Sequence, residues 1–358
     1  MAFLDFSKVG VTAMAAAVPR HIIKNREYTE FWDKEVAEAI VEKTGIEERR
    51  FADDLTCSSD LCFAAAEKLI EDNNINREEI DLLVFISQTP DYRMPATSVI
   101  LQNRLNLSKS TIAFDINLGC SAFLYGLSVV YGIMNSCKIR KALILDGETR
   151  SKVYSPRDRR SAFLFGDGGV AALVERNEKF GKSYFSLNSD GSRSDLIKIP
   201  AGGYRKMSSS ETVIEKVVDE FGNMRSEEQG YMMGGDVFNF VIREIPRDIK
   251  NTLAFAETNI EDFDYVVFHQ ANNFINSYIA KKMKLDTSKI PSTIAKFGNT
   301  SSVSVPLTII SELKGKLNGD KKLLLSAFGV GMTWATAIVP FYDCFISDIV
   351  EVENGERV

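Results

Sequence analysis

Histidine is the scarcest functional side chain in this sequence: there are two, His21 and His269, among 358 residues. Neither has a second histidine at helical spacing, so an HExxH metalloprotease site is excluded. The five cysteines, Cys57, Cys62, Cys120, Cys137 and Cys344, include no CxxC pair, which excludes a structural zinc module. Their odd number and wide spacing do not describe a disulfide framework, and a reducing, cytoplasmic setting is expected. Metal chemistry would rest on carboxylates alone, and no such cluster stands out, so no metal and no cofactor are expected. No run of eighteen apolar residues occurs, which excludes a membrane-spanning helix. Asp5 and Lys8 interrupt the apolar N-terminal stretch, which lacks the basic leader of a signal peptide. Basic excess is missing too: the formal net charge is -6, so a nucleic-acid partner is not expected.

What is present describes an ordinary globular chain, with 45% hydrophobic and 26% charged residues. Short apolar runs alternate with longer amphipathic ones, the pattern of an α/β fold. Strands are expected at 82–87, 111–117, 142–146, 170–175, 265–268, 323–327 and 335–340. Helices are expected at 59–72, 96–105, 121–135, 237–255, 273–283 and 305–317. The segments REEIDLLVF (77–85) and IEDFDYVVF (260–268) resemble each other at an offset of 183, and RKALIL (140–145) echoes KKLLLS (321–326) at 181. Two echoes at nearly one offset point to a duplicated α/β unit. Between them, 201–231 is polar and rich in Gly and Ser, which reads as a surface loop or a small excursion.

Four segments carry candidate chemistry. In FDINLGCSAF, a strand ends at Asn117 and Cys120 opens an apolar helix, where unpaired N–H groups and the helix dipole are expected to lower a thiol pKa. In FHQANNF, His269 lies where a strand turns into a helix, the end at which open α/β sheets place their sites. His21 has no polar partner in view. Asn299 stands in KFGNTSS between Gly298 and Thr300. SAFGVGMTW, at 326–334, could present a backbone N–H as an oxyanion donor or be a tight hairpin.

Together and in this order these segments resemble β-ketoacyl-acyl carrier protein synthase III, of the thiolase-fold superfamily. TGIEERR (44–50), TPDYRMPATS (89–98), DRRSAFLFGDGGVA (158–171) and MMGGDVF (232–238) extend the resemblance over about residues 8–340. It implies a five-layered α-β-α-β-α sandwich, divided as an N-terminal half (1–182), a linker and insert (183–232) and a C-terminal half (233–358). It implies acyl transfer to Cys120, then decarboxylative condensation with a malonyl thioester held by His269 and Asn299. Phe328, Gly329 and Gly331 would support the site, Thr89 and Phe165 would line the acyl pocket, and Met94 would cap the acyl pocket of the partner copy from across the dimer interface. Lys43, Arg159 and Gly235 would face CoA or pantetheine. The implied partners are CoA or acyl carrier protein thioesters and a second copy of the chain. Departures concern partners: Ala39 replaces a stacking tryptophan, and Phe274 replaces an arginine used in carrier docking. The basic residues Arg150, Lys152, Arg157, Arg159 and Arg160 could form a phosphate-facing cluster or a solvated loop. These departures suggest a specialised lipid or polyketide pathway. A same-fold acyltransferase and a non-catalytic partner subunit are the alternatives.

Overall fold

The computed structural model describes residues 2–353. One sheet runs, edge to edge, through Phe345–Ile346, Val9–Pro19, Asp167–Arg176, Lys141–Thr149, Leu82–Ile86 and Ile112–Ile116, with Val350–Val352 also paired along Val9–Pro19. The second runs Ala2–Phe6, Ser183–Ser189, Thr333–Tyr342, Asp320–Gly329, Tyr265–Phe268.

The strands are apolar at nearly every position because both sheet faces are covered. Side chains alternate across a strand, so Leu82, Val84 and Ile86 enter one core while Leu83 and Phe85 enter another. The other sheet repeats this with Leu323 and Leu325 against Leu324 and Phe328. The inner faces of both sheets clasp two central helices, Ala122–Ser136 and Ser304–Leu313. Those helices are apolar on nearly all sides, as full burial requires. Helix Ser58–Asp72 covers the outer face of the first sheet. Helices Gly234–Phe255 and Asn273–Met283 cover the second. The result is five layers in the duplicated thiolase arrangement.

The repeated motif is visible in its hydrogen bonds. Asp81 N–H donates to Lys141 O and its carboxylate accepts from Arg140 N–H; Asp264 N–H donates to Lys322 O and its carboxylate accepts from Lys322 N–H. Leu82 then pairs in parallel with Ala142, as Tyr265 does with Leu323.

Three features depart from expectation. The halves exchange strands: Ala2–Phe6 joins the second sheet, and residues 345–352 return to the first. Ser183–Ser189 is an interior strand of the second sheet, so division at 182 and 232 does not follow the sheets. The last central helix stops at Leu313 instead of 317, because the chain turns at Gly315, whose φ is 75°. The 201–231 stretch is tied down. Lys216–Val217 pairs with Met224–Arg225, Arg225 forms an ion pair with Asp158 at 2.7 Å, and Asn223 Oδ1 accepts from Arg159 N–H.

Candidate active site

Cys120 occupies the turn immediately before helix Ala122–Ser136, with Ala122 N–H donating to Gly119 O. It is 6% exposed and lines a cavity of about 90 Å³ that His269, Asn299, Phe328 and Gly329 also line. Residues far apart in sequence therefore meet at one small space, where a strand end (His269), a loop (Asn299) and a helix start (Cys120) converge.

The backbone approaches the thiol closely. A Cβ on Gly329 would lie 2.6 Å from Cys120 Sγ, so only glycine fits there. The Val330 N–H faces the sulfur, and the Ser301 hydroxyl lies 3.7 Å from it. The expected lowering of the thiol pKa does not occur. Burial pushes it up, and Arg150, the Ser301 hydroxyl and the Val330 N–H only partly offset that.

His269 is buried, and burial lowers its pKa to about 3, with the Ser301 backbone opposing. The imidazole is neutral at physiological pH. Its Nδ1 lies 2.7 Å from Ser304 Oγ, which also accepts from Gln270 N–H at 3.3 Å. Phe328 meets the imidazole edge-on at 5.3 Å and is 2% exposed. Asn299 is fixed by its amide oxygen, which accepts from Ser301 N–H at 2.9 Å. That assigns the oxygen and leaves Nδ2 as the donor. The Asn299 backbone is clamped to the other half, donating to Leu164 O and accepting from Gly166 N–H.

A buried polar network lies beside the thiol. Glu148 accepts from Gln88 N–H and Thr89 Oγ1, and Ser302 Oγ, which donates to Asp146 at 2.6 Å, stands 3.5 Å from the Glu148 carboxyl. Burial pushes Glu148 up and Asp146 well up. Arg150 lies 3.8 Å from Glu148 and stands among the residues lining the Cys120 cavity. For Arg150, burial opposes the charge, but Tyr154, Glu148 and Cys120 together hold its pKa above the ordinary arginine value.

Phe165 lines the cavity as expected, stacked on Tyr154 at 4.0 Å. Gly331 follows Val330 in the turn at a φ of 136°, without lining the cavity. Other positions lie elsewhere. Thr89 is drawn into the Glu148 network and does not line the cavity. Met94 is 79% exposed and lines no part of this chain's own cavity. Lys43 is exposed on helix Lys34–Thr44, open to a ligand. Gly235 does line an adjoining cleft, together with Gly234 and Met232, which also line the Cys120 cavity. The arginine of that cleft is Arg160; the Arg159 guanidinium instead lies over the Phe221 ring at 4.7 Å.

The basic cluster disperses. Arg157 pairs with Glu215, Arg160 pairs with Asp219, Lys152 donates to Asp54 O and Thr56 O, and Arg150 turns inward. Arg150, Ser301 and Ser304 were not singled out as site residues from sequence. The burial of Arg150 had no local signal, since three of its four basic neighbours at 152–160 carry a surface ion pair or a backbone contact made by their side chains. Among the described residues, no group of acidic, histidine and cysteine side chains could hold a metal ion, and no helix is long and apolar enough to cross a membrane.

Comparison with known proteins agrees with this geometry. Residues 114–191 match the family described as 3-oxoacyl-[acyl-carrier-protein (ACP)] synthase III, and 253–341 match its C-terminal region. The β-ketoacyl-[acyl-carrier-protein] synthase III of Clostridioides difficile is 34% identical, covering 93% of this chain and 98% of that protein. That of Streptococcus pneumoniae is also 34% identical, covering 95% and 99%. The crystal structure of a 3-oxoacyl-(acyl-carrier protein) synthase from Burkholderia xenovorans superposes with a TM-score of 0.92, at 34% identity, over 98% of this chain and 99% of that one.

Proposed function

Because this chain belongs to the 3-oxoacyl-[acyl-carrier-protein] synthase III family, we propose that its cavity performs acyl transfer to Cys120 and then a decarboxylative Claisen condensation. The observation carrying this reading is that one cavity gathers a thiol, a neutral imidazole and an amide N–H donor.

In the first half-reaction, Cys120 attacks an acyl thioester. The oxyanion of the tetrahedral intermediate forms beside the Cys120 and Val330 N–H groups, and collapse expels the donor thiol, which takes up the proton lost by Cys120. In the second, His269 and Asn299 donate to the carbonyl of a malonyl thioester. With the Ser304 hydroxyl donating to His269 Nδ1, the imidazole carries its hydrogen on Nε2 and can serve as a donor. Loss of carbon dioxide leaves an enolate that two neutral donors stabilise in a water-poor site. Its carbon attacks the acyl carbonyl, the Cys120 sulfur leaves, and a 3-oxoacyl thioester departs. A charged imidazolium would be costly beside Phe328, and burial prevents it.

The cleft with Arg160, Gly235 and Asp236 is the route by which a CoA or carrier-bound pantetheine arm reaches Cys120. Phe274, 51% exposed and 5.1 Å from Phe238, makes the nearby surface aromatic, so a carrier protein docks there through apolar contact more than through a charged fork. This change, with the packed 201–231 insert, supports service in a specialised lipid or polyketide pathway; the cytoplasmic setting rests on the cysteine pattern and the homodimer on the family resemblance. The reaction calls for thioester substrates and no cofactor.

Intact mass spectrometry tests the reading. Incubation with a panel of acyl-CoAs should give an adduct on Cys120, and malonyl thioester should then remove it with release of carbon dioxide. No adduct from any donor overturns the reading. An adduct that persists with no carbon dioxide released points instead to an acyltransferase.

A further inference from the structure

Arg150 is 4% exposed, yet its Nε has no hydrogen-bond partner among the described residues. Leaving a buried cationic donor unpartnered forfeits its hydration without replacement, which folds retain only with a reason. Its other contacts fix it firmly: Nη2 donates to Tyr154 Oη at 3.0 Å, and the guanidinium lies over the Tyr154 and Phe165 rings at 5.2 and 5.6 Å. Arg150 lines the Cys120 cavity and also a second cavity of about 190 Å³. The stacked Tyr154 and Phe165 line both as well.

The second cavity contains another buried arginine. Arg49 is 1% exposed, donates from Nε to Asn25 Oδ1 at 2.7 Å and from Nη1 to Phe165 O at 3.2 Å, and leaves Nη2 without a partner. Among the described residues no carboxylate is in ion-pair contact with it, and burial lowers its pKa to about 10, with Tyr28 and Asp167 opposing. Hydroxyls of Ser151, Ser155 and Ser161 belong to the same lining. The negative groups nearby do not fill these positions. Glu148, 3.8 Å from Arg150 Nη1, helps hold the Arg150 charge but leaves its Nε unpartnered. Asp167 is occupied by Ser151 and the Ala52 N–H.

Two buried cations with free N–H groups, on a cavity that adjoins the reactive thiol, require an acceptor rather than a methyl group. We propose that Arg150 is a specificity-determining residue for the acyl donor, and that the acyl chain taken by Cys120 ends in a carboxylate received by Arg150 and the Arg49 side of the second cavity. This rests on the acyl-cysteine reading above. The transfer step is unchanged: the acyl–sulfur bond of the donor breaks, the acyl–Cys120 bond forms, and the carboxylate end takes no part in bond making. A guanidinium suits this role because its planar fork matches a carboxylate.

Succinyl-CoA and butyryl-CoA carry chains of the same carbon number and differ at the end, carboxylate against methyl. Rates of Cys120 acylation by each, with acetyl-CoA as a third donor, are read by quenched intact mass. The wild-type protein should prefer succinyl over butyryl by on the order of a hundredfold in kcat/KM, since sites built to pair a polar group discriminate strongly. Arg150→Leu, which also removes a cation that lowers the thiol pKa, should slow both donors but succinyl far more, so that the preference reverses. If Arg150→Leu does not fold, Arg150→Gln and the wild-type ratio carry the test. Faster loading of butyryl by the wild-type protein overturns the proposal alone. So does an equal slowing of both donors by Arg150→Leu, which would make Arg150 a thiol-tuning residue. No loading from any donor overturns the acyl-cysteine reading and this one together.

Discussion

The offset of 181 that relates Lys141 to Lys322 also relates Cys120 to Ser301 and Glu148 to Gly329, and Cys120 meets both Ser301 and Gly329. On one side of the pseudo-twofold, Cys120 opens its helix against Gly329, whose missing side chain leaves room for sulfur. On the other, Ser301 and Ser302 precede the matching helix, and Ser302 meets Glu148 and Asp146. One scaffold thus holds an empty position beside a nucleophile and a filled position beside serines. The difference teaches that a duplicated fold reaches a single active site by filling one copy of the junction with hydrogen-bonded carboxylates and leaving space in the other.

The contrast can be broken most completely at the nucleophile. Cys120→Ala should abolish the acyl adduct and lower condensation by at least about a thousandfold, because no second thiol lines the cavity; intact mass and turnover assays check both. Gly329→Ala makes the two junctions alike in a different way. Its Cβ would press on Sγ at 2.6 Å, and a displacement of that order should slow acylation roughly a hundredfold and cost about 1–3 kcal/mol in stability. Ser301→Ala sharpens the comparison by removing the serine counterpart of Cys120. The Ser301 hydroxyl lowers the thiol pKa, so its loss should shift the pH midpoint of Cys120 alkylation upward and slow acylation by about threefold to tenfold; iodoacetamide rates against pH give the answer.

Two pH effects are smaller. Asp146 has a folded-state pKa well above its ordinary 3.8, so the folded protein holds a proton that the unfolded chain releases. Its contribution to stability is complete below about pH 3.8 and is lost as pH rises toward the folded value. Asp146→Asn should remove that part of the decline, seen as a flatter plot of Tm against pH. His269 has the opposite sign: its folded pKa of about 3 lies below the ordinary 6.5. It costs no stability above about 6.5 and an increasing amount as pH falls toward 3. Between pH 5 and 8 it stays neutral, so no imidazole titration should appear in the kcat profile, and nitrogen chemical shifts of His269 should be flat across that range.

Much of this was readable before any coordinates. Strand Tyr265–Phe268 and helix Asn273–Met283 begin and end where the apolar pattern and Asn272 cap place them, because uninterrupted apolar runs and an Asn N-cap are local signals. Strand Val9–Pro19 was not expected: its TAMAAAV core has weak strand propensity, and only burial between a helix layer and the central core makes alanine the right size there. Thr89 is expected in the acyl pocket by family position; in this chain it is drawn to Glu148, a contact that only the fold sets.

By itself the sequence determined the α/β pattern, the duplication and the candidate thiol and imidazole, since periodicity, turn chemistry and residue scarcity are properties of neighbours along the chain; the layer order and the amide came through the family resemblance. Only the tertiary structure decided that the thiol is neutral at rest, that the imidazole is neutral, and that Arg150 faces the cavity. Those depend on desolvation and on which groups the folded chain brings within a few ångströms, and neither is written in the local order of residues.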